Sequence, residues 1–206
     1  MSAASSRTFS LVRLAGSAIL LLASGCKILP EASLDPTRFY LLKSTAATGA
    51  ASAANAGAAA VRLRPVELAD YLRTRALVVR RDDNEVDFRD FARWGEALGA
   101  GIARVLSAEL AARGAPVATG GIKAGPADQK IELRVRVLTC EGVADGAVRF
   151  HATWELHAIG GVAARNGDYQ PTTLRWDGRN ETTLAAALSE AIAGLAAEIA
   201  PAMVKK

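Results

Sequence analysis

Two histidines six positions apart, His151 and His157, are the pair in this 206-residue chain with the most obvious capacity for metal or proton chemistry. Both fall in "VRFHATWELHA", where apolar and polar residues alternate, and both occupy its polar phase. At roughly 3.3 Å of rise per strand residue, six positions separate them by about 20 Å, too far to share a metal ion or a proton. They read as solvent-facing strand residues. Asp82, Asp83 and Glu85 could surround a calcium ion, but their sequence "DDNE" is the commoner acidic hairpin tip. "GGIKAGP" lacks the Lys-Ser/Thr ending of a phosphate loop and precedes a strand rather than a helix, so it reads as a turn. Two histidines and, apart from Cys26, one spare cysteine cannot supply the four well-spaced ligands of a zinc site. The expectation is a non-enzyme with no metal and no cofactor.

The remaining chemistry is that of Cys26, which closes the stretch "AGSAILLLASGC". Arg7 and Arg13 form a positive region ahead of it, Leu14 to Leu22 an apolar core, and Ala23-Ser24-Gly25 a small-residue cleavage stretch. That order is a secretory leader. Its apolar core is about half of the roughly 20 residues that a spanning helix needs. Gly25-Cys26 resembles the bacterial lipobox junction, although the leucine usual three residues before the cysteine is here Ala23, with Leu22 one step further. Residues 1–25 are therefore expected to be a signal peptide. Cys26 becomes the first mature residue, carrying a diacylglyceryl thioether and an amide-linked acyl chain. More than one chain makes anchoring stable, at about 0.8 kcal/mol per buried CH₂. Lys27 stands where an inner-membrane retention signal would place Asp, which predicts outer-membrane sorting.

Removing the leader takes the formal net charge from +4 to +2, since Arg7 and Arg13 leave with it. No Lys/Arg run accompanies that balance, so no nucleic-acid footprint is present. With Cys26 acylated, Cys140 has no disulfide partner and reads as a buried small hydrophobe.

Residues 26–36 form a tether, and 37–206 a single domain of sufficient length for a substantial core. "TRFYLLK" reads as a first strand, and the Ala/Gly/Ser-rich 44–60 as a flexible insert. "VRLRPVEL" alternates into "ADYL", a turn or single helical turn, and "ALVVRR" turns through "DDNE" into "VDF". Phe91, Trp94, Leu98, Ile102, Val105, Leu106 and Leu110 recur at three- and four-residue steps, predicting one helix with Asp90 as N-cap and Gly114 past its end. "KIELRVRV" and "VRFHATWELHA" are strands joined through Asp145-Gly146, with Ile131, Leu133, Val135, Val137, Val148, Phe150, Ala152, Trp154 and Leu156 inward. "YQPTTLRW" is expected as a third strand, edge-like because of Pro171. Leu184, Leu188, Ile192, Leu195 and Ile199 mark a second helix ending near Pro201. The fold class is α/β (α+β): one mixed, mostly antiparallel sheet packed with two amphipathic helices.

These segments resemble the ABC-type transport auxiliary lipoproteins of the paraquat-inducible protein C type. The resemblance rests on Cys26, "PTRFYLL", the run Arg64 to Leu98 and "IARVLSAELA". Within the family's Gly-Pro-Val-x-Leu-Pro-x-Tyr-Leu pattern, Pro65, Val66, Leu68, Tyr71 and Leu72 match. Arg64, Ala69 and Arg75 depart from it, standing for a glycine and two prolines. Phe91, Arg93, Trp94, Glu96 and Leu98 carry the most specific segment. The resemblance implies a lipid-anchored outer-membrane protein facing the periplasm. Its implied partners are a mammalian-cell-entry (MCE) protein and that protein's inner-membrane ABC transporter, in a system that moves phospholipids or related molecules. It also implies a possible homo-oligomeric ring. The expected role is docking or assembly, with Pro65, Val66, Leu68, Tyr71, Leu72, Arg93 and Glu96 as candidate interface residues. A lipid-binding shuttle, or an assembly factor for an outer-membrane or cell-wall complex, is the alternative. Few aromatics and many alanines favour a compact core over a roomy pocket.

Overall fold

A computed structural model describes residues 34–46, 61–119, 131–158 and 163–204. The chain divides into two units, Met1–Pro36 and Thr37–Lys206. The leader, Cys26, the "GGIKAGPADQ" turn and all but the start of the Ala-rich insert lie outside the described residues. Every described strand and helix belongs to the second unit.

A single long strand organises the sheet. β7 (Ile131–Val143) pairs antiparallel along its whole length with β8 (Val148–Ala158), which pairs in turn with β9 (Ala163–Tyr169). Along the other edge of β7 come three short parallel partners in succession: β2 (Val61–Leu63), β3 (Glu67–Leu68) and the end of β4 (Ala76–Asp82). β4 turns back into β5 (Glu85–Trp94), β1 (Arg38–Tyr40) adds outside β5, and β6 (Val117–Thr119) adds outside β2. The nine strands among the described residues form one mixed sheet in which the antiparallel ladders hold the long pairings. Helix α1 (Leu98–Ala112) packs on α2 (Glu181–Val204), and α2 lies against β7, β8 and β9.

Alternation in β7 and β8 buries the residues that the sequence assigns inward except Ile131, which is half-buried, with Leu133, Val137, Phe150 and Ala152 fully enclosed. The turn between them places Gly146 at φ 86°, a conformation open to glycine without a Cβ penalty. The apolar stripe of α2 is enclosed as expected: Leu184, Ile192, Leu195 and Ile199 are at 0% exposure. That helix is long and apolar enough to cross a membrane by composition, yet 67% of the relevant window is buried within the fold, as in a core helix. Asn180 caps it, its Oδ1 accepting the Thr182 N–H at 3.0 Å. The helix continues through Pro201 to Val204 rather than stopping there.

Two elements differ from the sequence expectation. The first helix begins at Leu98, not near Asp90. Asp90, Phe91 and Trp94 belong to β5, and Phe91 is exposed. Between its pairings Ala76↔Arg93 and Val78↔Phe88, β5 carries more residues than β4, a bulge. Phe91 and Trp94, three apart and ahead of Leu98, extend the helical period in the sequence, but in β5 Phe91 faces out and Trp94 faces in. The end of α1 is as expected. Gly114, at φ 73°, donates to the Ala111 carbonyl, and Ala115 donates to that of Leu110, a Schellman closure. The second difference is the third strand, which runs over Ala163–Tyr169 and ends before Pro171, whose missing N–H cannot extend a ladder.

Candidate functional site

The segment from Arg64 to Arg75 stays close to β7 before turning away. β3 sets Glu67 beside Arg136 and Leu68 beside Val137, and the Ala69 N–H continues the ladder to the Val137 carbonyl at 3.0 Å. A 3-10 turn over Asp70–Leu72 follows and buries Leu72 to 1% exposure. Opposite lies the first turn of α1. A Cβ on Gly99 would sit 3.3 Å from the Val66 carbonyl oxygen, a tight contact, so helix and segment run close together here. Between them runs a groove of about 630 Å³ with Pro65, Val66, Leu68, Leu72 and Leu98 among its lining residues, and with Glu67, Arg73 and Arg75 as its charged members.

The 3-10 turn is pinned from beneath. The Tyr71 hydroxyl donates to Glu141 Oε2 at 2.9 Å, and Arg80 Nε donates to Glu141 Oε1 at 2.5 Å. Glu141 is fully buried. Burial, then the adjacent Glu141 carboxylate, pushes the Tyr71 phenol well above its ordinary pKa. Of the five candidates in this segment, Pro65, Val66 and Leu68 line the groove, Leu72 forms its buried floor, and Tyr71 is tied into the network below.

Arg93 and Glu96 are not on a helix flank. Arg93 lies in β5 opposite Phe39, and Glu96 lies in the link before α1. Glu96 Oε1 accepts from Arg104 Nη2 at 2.5 Å and from Arg104 Nε at 3.2 Å. Reversing Glu96 would therefore set a cation beside Arg104.

A second buried carboxylate, Glu109 on α1, was missed by sequence reasoning. Its position on the stripe of Ile102, Val105 and Leu106 was the available signal. Its Oε1 accepts from Ser44 Oγ at 2.7 Å, the Thr45 N–H at 2.6 Å, Thr45 Oγ1 at 3.0 Å and the Ala46 N–H at 2.9 Å. Oε2 accepts from Arg113 at 2.5 Å. Glu109 thus fixes the chain where it leaves β1 for the Ala-rich insert. Burial alone would raise its pKa, but the bonds from Ser44, Arg113, Ala46 and Thr45 outweigh it and hold the carboxyl at about 2. Because the folded value lies below the unfolded 4.5, this stability is complete above about pH 4.5 and is lost as the pH falls towards 2. Glu109→Gln is expected to cost on the order of 2 kcal/mol at pH 7 and to flatten the acid limb of stability. Urea midpoints between pH 7 and 2.5 measure this. A variant with the parent's pH slope would clear Glu109 of that role.

His151 bonds Asp168 at 2.7 Å and His157 bonds Glu155 at 2.6 Å, each in a separate surface pair. Cys140 is buried as expected, and its enclosure pushes the thiol up to about 12, far from thiolate chemistry at neutral pH. Among the described residues, no group of three His, Cys, Asp or Glu side chains could hold a metal ion.

The strands from β2 onward, α1, the groove segment and α2 as far as Ala200 fall inside a match to one family model, described as the ABC-type transport auxiliary lipoprotein component, over residues 40–200. The chain belongs to this family. No curated protein matches it significantly. A crystal structure of an uncharacterised protein aligns with this auxiliary component at TM-score 0.62 and 20% identity, covering 81% of this chain and 97% of the other. A Xanthomonas campestris protein of the DUF330 family model aligns at TM-score 0.62 and 14% identity, covering 82% and 95%. At these identities the two structures establish the shared fold alone. A PelC dodecamer from Paraburkholderia phytofirmans aligns at TM-score 0.41 and 15% identity over 75% of this chain and 96% of that one, too distant for argument.

Proposed function

We propose that this auxiliary lipoprotein component is held at the outer membrane by acylated Cys26, faces the periplasm, and serves an MCE/ABC-type lipid transport system by docking rather than catalysis. Membership of the transport auxiliary family over residues 40–200 carries this reading. The groove supplies the docking surface. Its apolar lining of Pro65, Val66 and Leu68 would take an apolar segment of the MCE partner, with Arg73 and Arg75 receiving carboxylates at the rim. The pinned turn beneath it and the close contact at Gly99 hold the groove in shape before a partner arrives, which lowers the ordering cost of binding.

The test has two arms. Cys26→Ser should leave the protein unprocessed or soluble in the periplasm. Density-gradient fractionation that still finds it firmly in the outer membrane would sink the anchor. Val66→Asp with Leu68→Asp should leave anchoring intact but abolish capture of the MCE protein from detergent extract. Capture at the parent's level would remove the groove from the interface.

A further inference from the structure

At the β1 edge of the sheet, backbone hydrogen-bonding groups are left over. β1 pairs with β5 alone, in parallel register, with Arg38 beside Ala92 and Tyr40 beside Trp94. The Tyr40 carbonyl accepts from the Gly95 N–H at 2.8 Å, so the polar backbone groups of Arg38 and Tyr40 face β5. Those of Phe39, Leu41 and Lys43 alternate with them and face away. The Lys43 N–H shows that direction, donating to Ser189 Oγ of α2 at 3.1 Å. The backbone groups of Phe39 and Leu41 have no partner among the described residues. An unpaired edge of this kind is a template for another strand.

Helix α2 makes the second wall. A cleft of about 710 Å³ lies between this edge and the helix, with Phe39, Tyr40 and Leu41 on one side and Thr182, Ala185 and Ala186 on the other. The helix side chains are small, which leaves room beside β1 for a second backbone. Phe39 and Leu41, 64% and 60% exposed, share the face opposite the buried Leu42. Lys43 and Glu190 bring one charge of each sign to the cleft, so charge does not choose the occupant. The backbone does.

We infer that the β1 edge takes an extended segment of another protein as an added strand, seated between β1 and α2. Only an extended chain repeats donor and acceptor at the spacing of Phe39 and Leu41, roughly 6.6 Å for two strand residues. Main-chain bonds give such a site its affinity, and alternate side chains its selectivity. Side chains of one phase cover Phe39 and Leu41 and should be apolar; those of the other phase enter the cleft over Ala185 and Ala186. A second copy fits less well, because a contact limited to the short β1 falls far below the roughly 800 Å² per partner that stable interfaces bury. Residues 47–60 of this chain follow Ala46, which lines the cleft, but they are all Ala, Gly, Ser, Thr or Asn. They hold no large side chain to cover Phe39 and Leu41. The site is separate from the groove of Pro65, Val66 and Leu68, and it requires neither the Cys26 anchor nor the MCE protein.

The chain from residue 26 onward, carrying Cys26→Ser so that it stays unacylated, is screened against a displayed library of random peptides, and binding is followed by amide hydrogen exchange. Selected peptides are expected to carry apolar residues at alternate positions. They should slow exchange of the Phe39 and Leu41 amides, which exchange freely in the protein alone. Methylating a peptide's backbone nitrogens one at a time should cost about tenfold in affinity at every second residue, those bonded to β1, and little at the residues between. Leu41→Pro removes an N–H that β5 does not use, so it should weaken the peptides about fivefold or more while the urea midpoint stays at the parent's value. If that variant is unstable, the methylation scan, made on the unaltered protein, decides alone. A screen that yields no peptide protecting these two amides would overturn the inference, as would a scan without the two-residue period. Slow exchange of Phe39 and Leu41 in the protein alone would also overturn it. Protection that ignores protein concentration would mean that the chain covers its own edge, and protection that rises with concentration would mean a second copy.

Discussion

Glu141→Ala is expected to destabilise the fold by about 3–5 kcal/mol, the range for removing one partner from a buried ion pair. The substitution leaves Arg80, whose side chain is 15% exposed, with only the Asp82 and Asp83 carbonyls to accept from its Nη1. It also strips the Tyr71 hydroxyl of its 2.9 Å acceptor and leaves the Leu138 carbonyl at 3.4 Å. The double substitution Arg80→Met with Glu141→Leu should recover most of the loss, because a buried pair replaced by apolar side chains of similar volume is close to neutral. Urea unfolding of the parent, both single variants and the double variant closes a cycle that isolates the coupling. A Glu141→Ala midpoint within about 1 kcal/mol of the parent would show that the pair is not a structural clasp. The consequence reaches function, since Tyr71 ties the turn that floors the groove, and a loosened turn should weaken partner capture before the protein unfolds.

The β7–β8 ladder as far as Val137, the Asp145-Gly146 turn and α2 were legible in the sequence because each has an unbroken period or a local stop signal. Legibility failed where a bulge broke the period. In β5 the spacing of Phe91 and Trp94 ahead of Leu98 read as a helix face, and so carried Arg93 and Glu96 onto a helix flank that does not exist. In β7 the register slips between Val137 and Thr139, which turns Cys140 inward opposite Phe150. The same slip puts Glu141 on the other face, where continued alternation from Ile131 would have buried it in the apolar core. That Glu141 is nonetheless enclosed depends on Tyr71 and Arg80, partners 70 and 61 residues away, and no local pattern encodes such a meeting. The groove was half visible. "PVEL" marked one wall, but the other wall is the first turn of α1, whose start was misplaced.

Leu106→Ala should cost about 2–5 kcal/mol, the range for truncating a buried leucine and leaving a cavity that its surroundings only partly fill. Leu106 is at 0% exposure, as are Ile102, Val105 and Leu110 on the same stripe, so no water-facing rotamer relieves the loss. Ile102→Val removes a single methylene from that stripe and should cost only about 0.5–1.5 kcal/mol. The ratio of the two effects is the informative quantity, because it tracks the hydrocarbon removed from one continuous interior. A general loosening of α1 would instead make the two losses similar and lower the denaturant slope as well. If Leu106→Ala leaves the midpoint unchanged, the stripe is not core, and the contact between α1 and α2 would have to hold the helices by some other face. With the expected loss, α1 is anchored along its buried side, and its first turn, the wall opposite Val66 and Leu68, is held in place by packing that the partner does not touch.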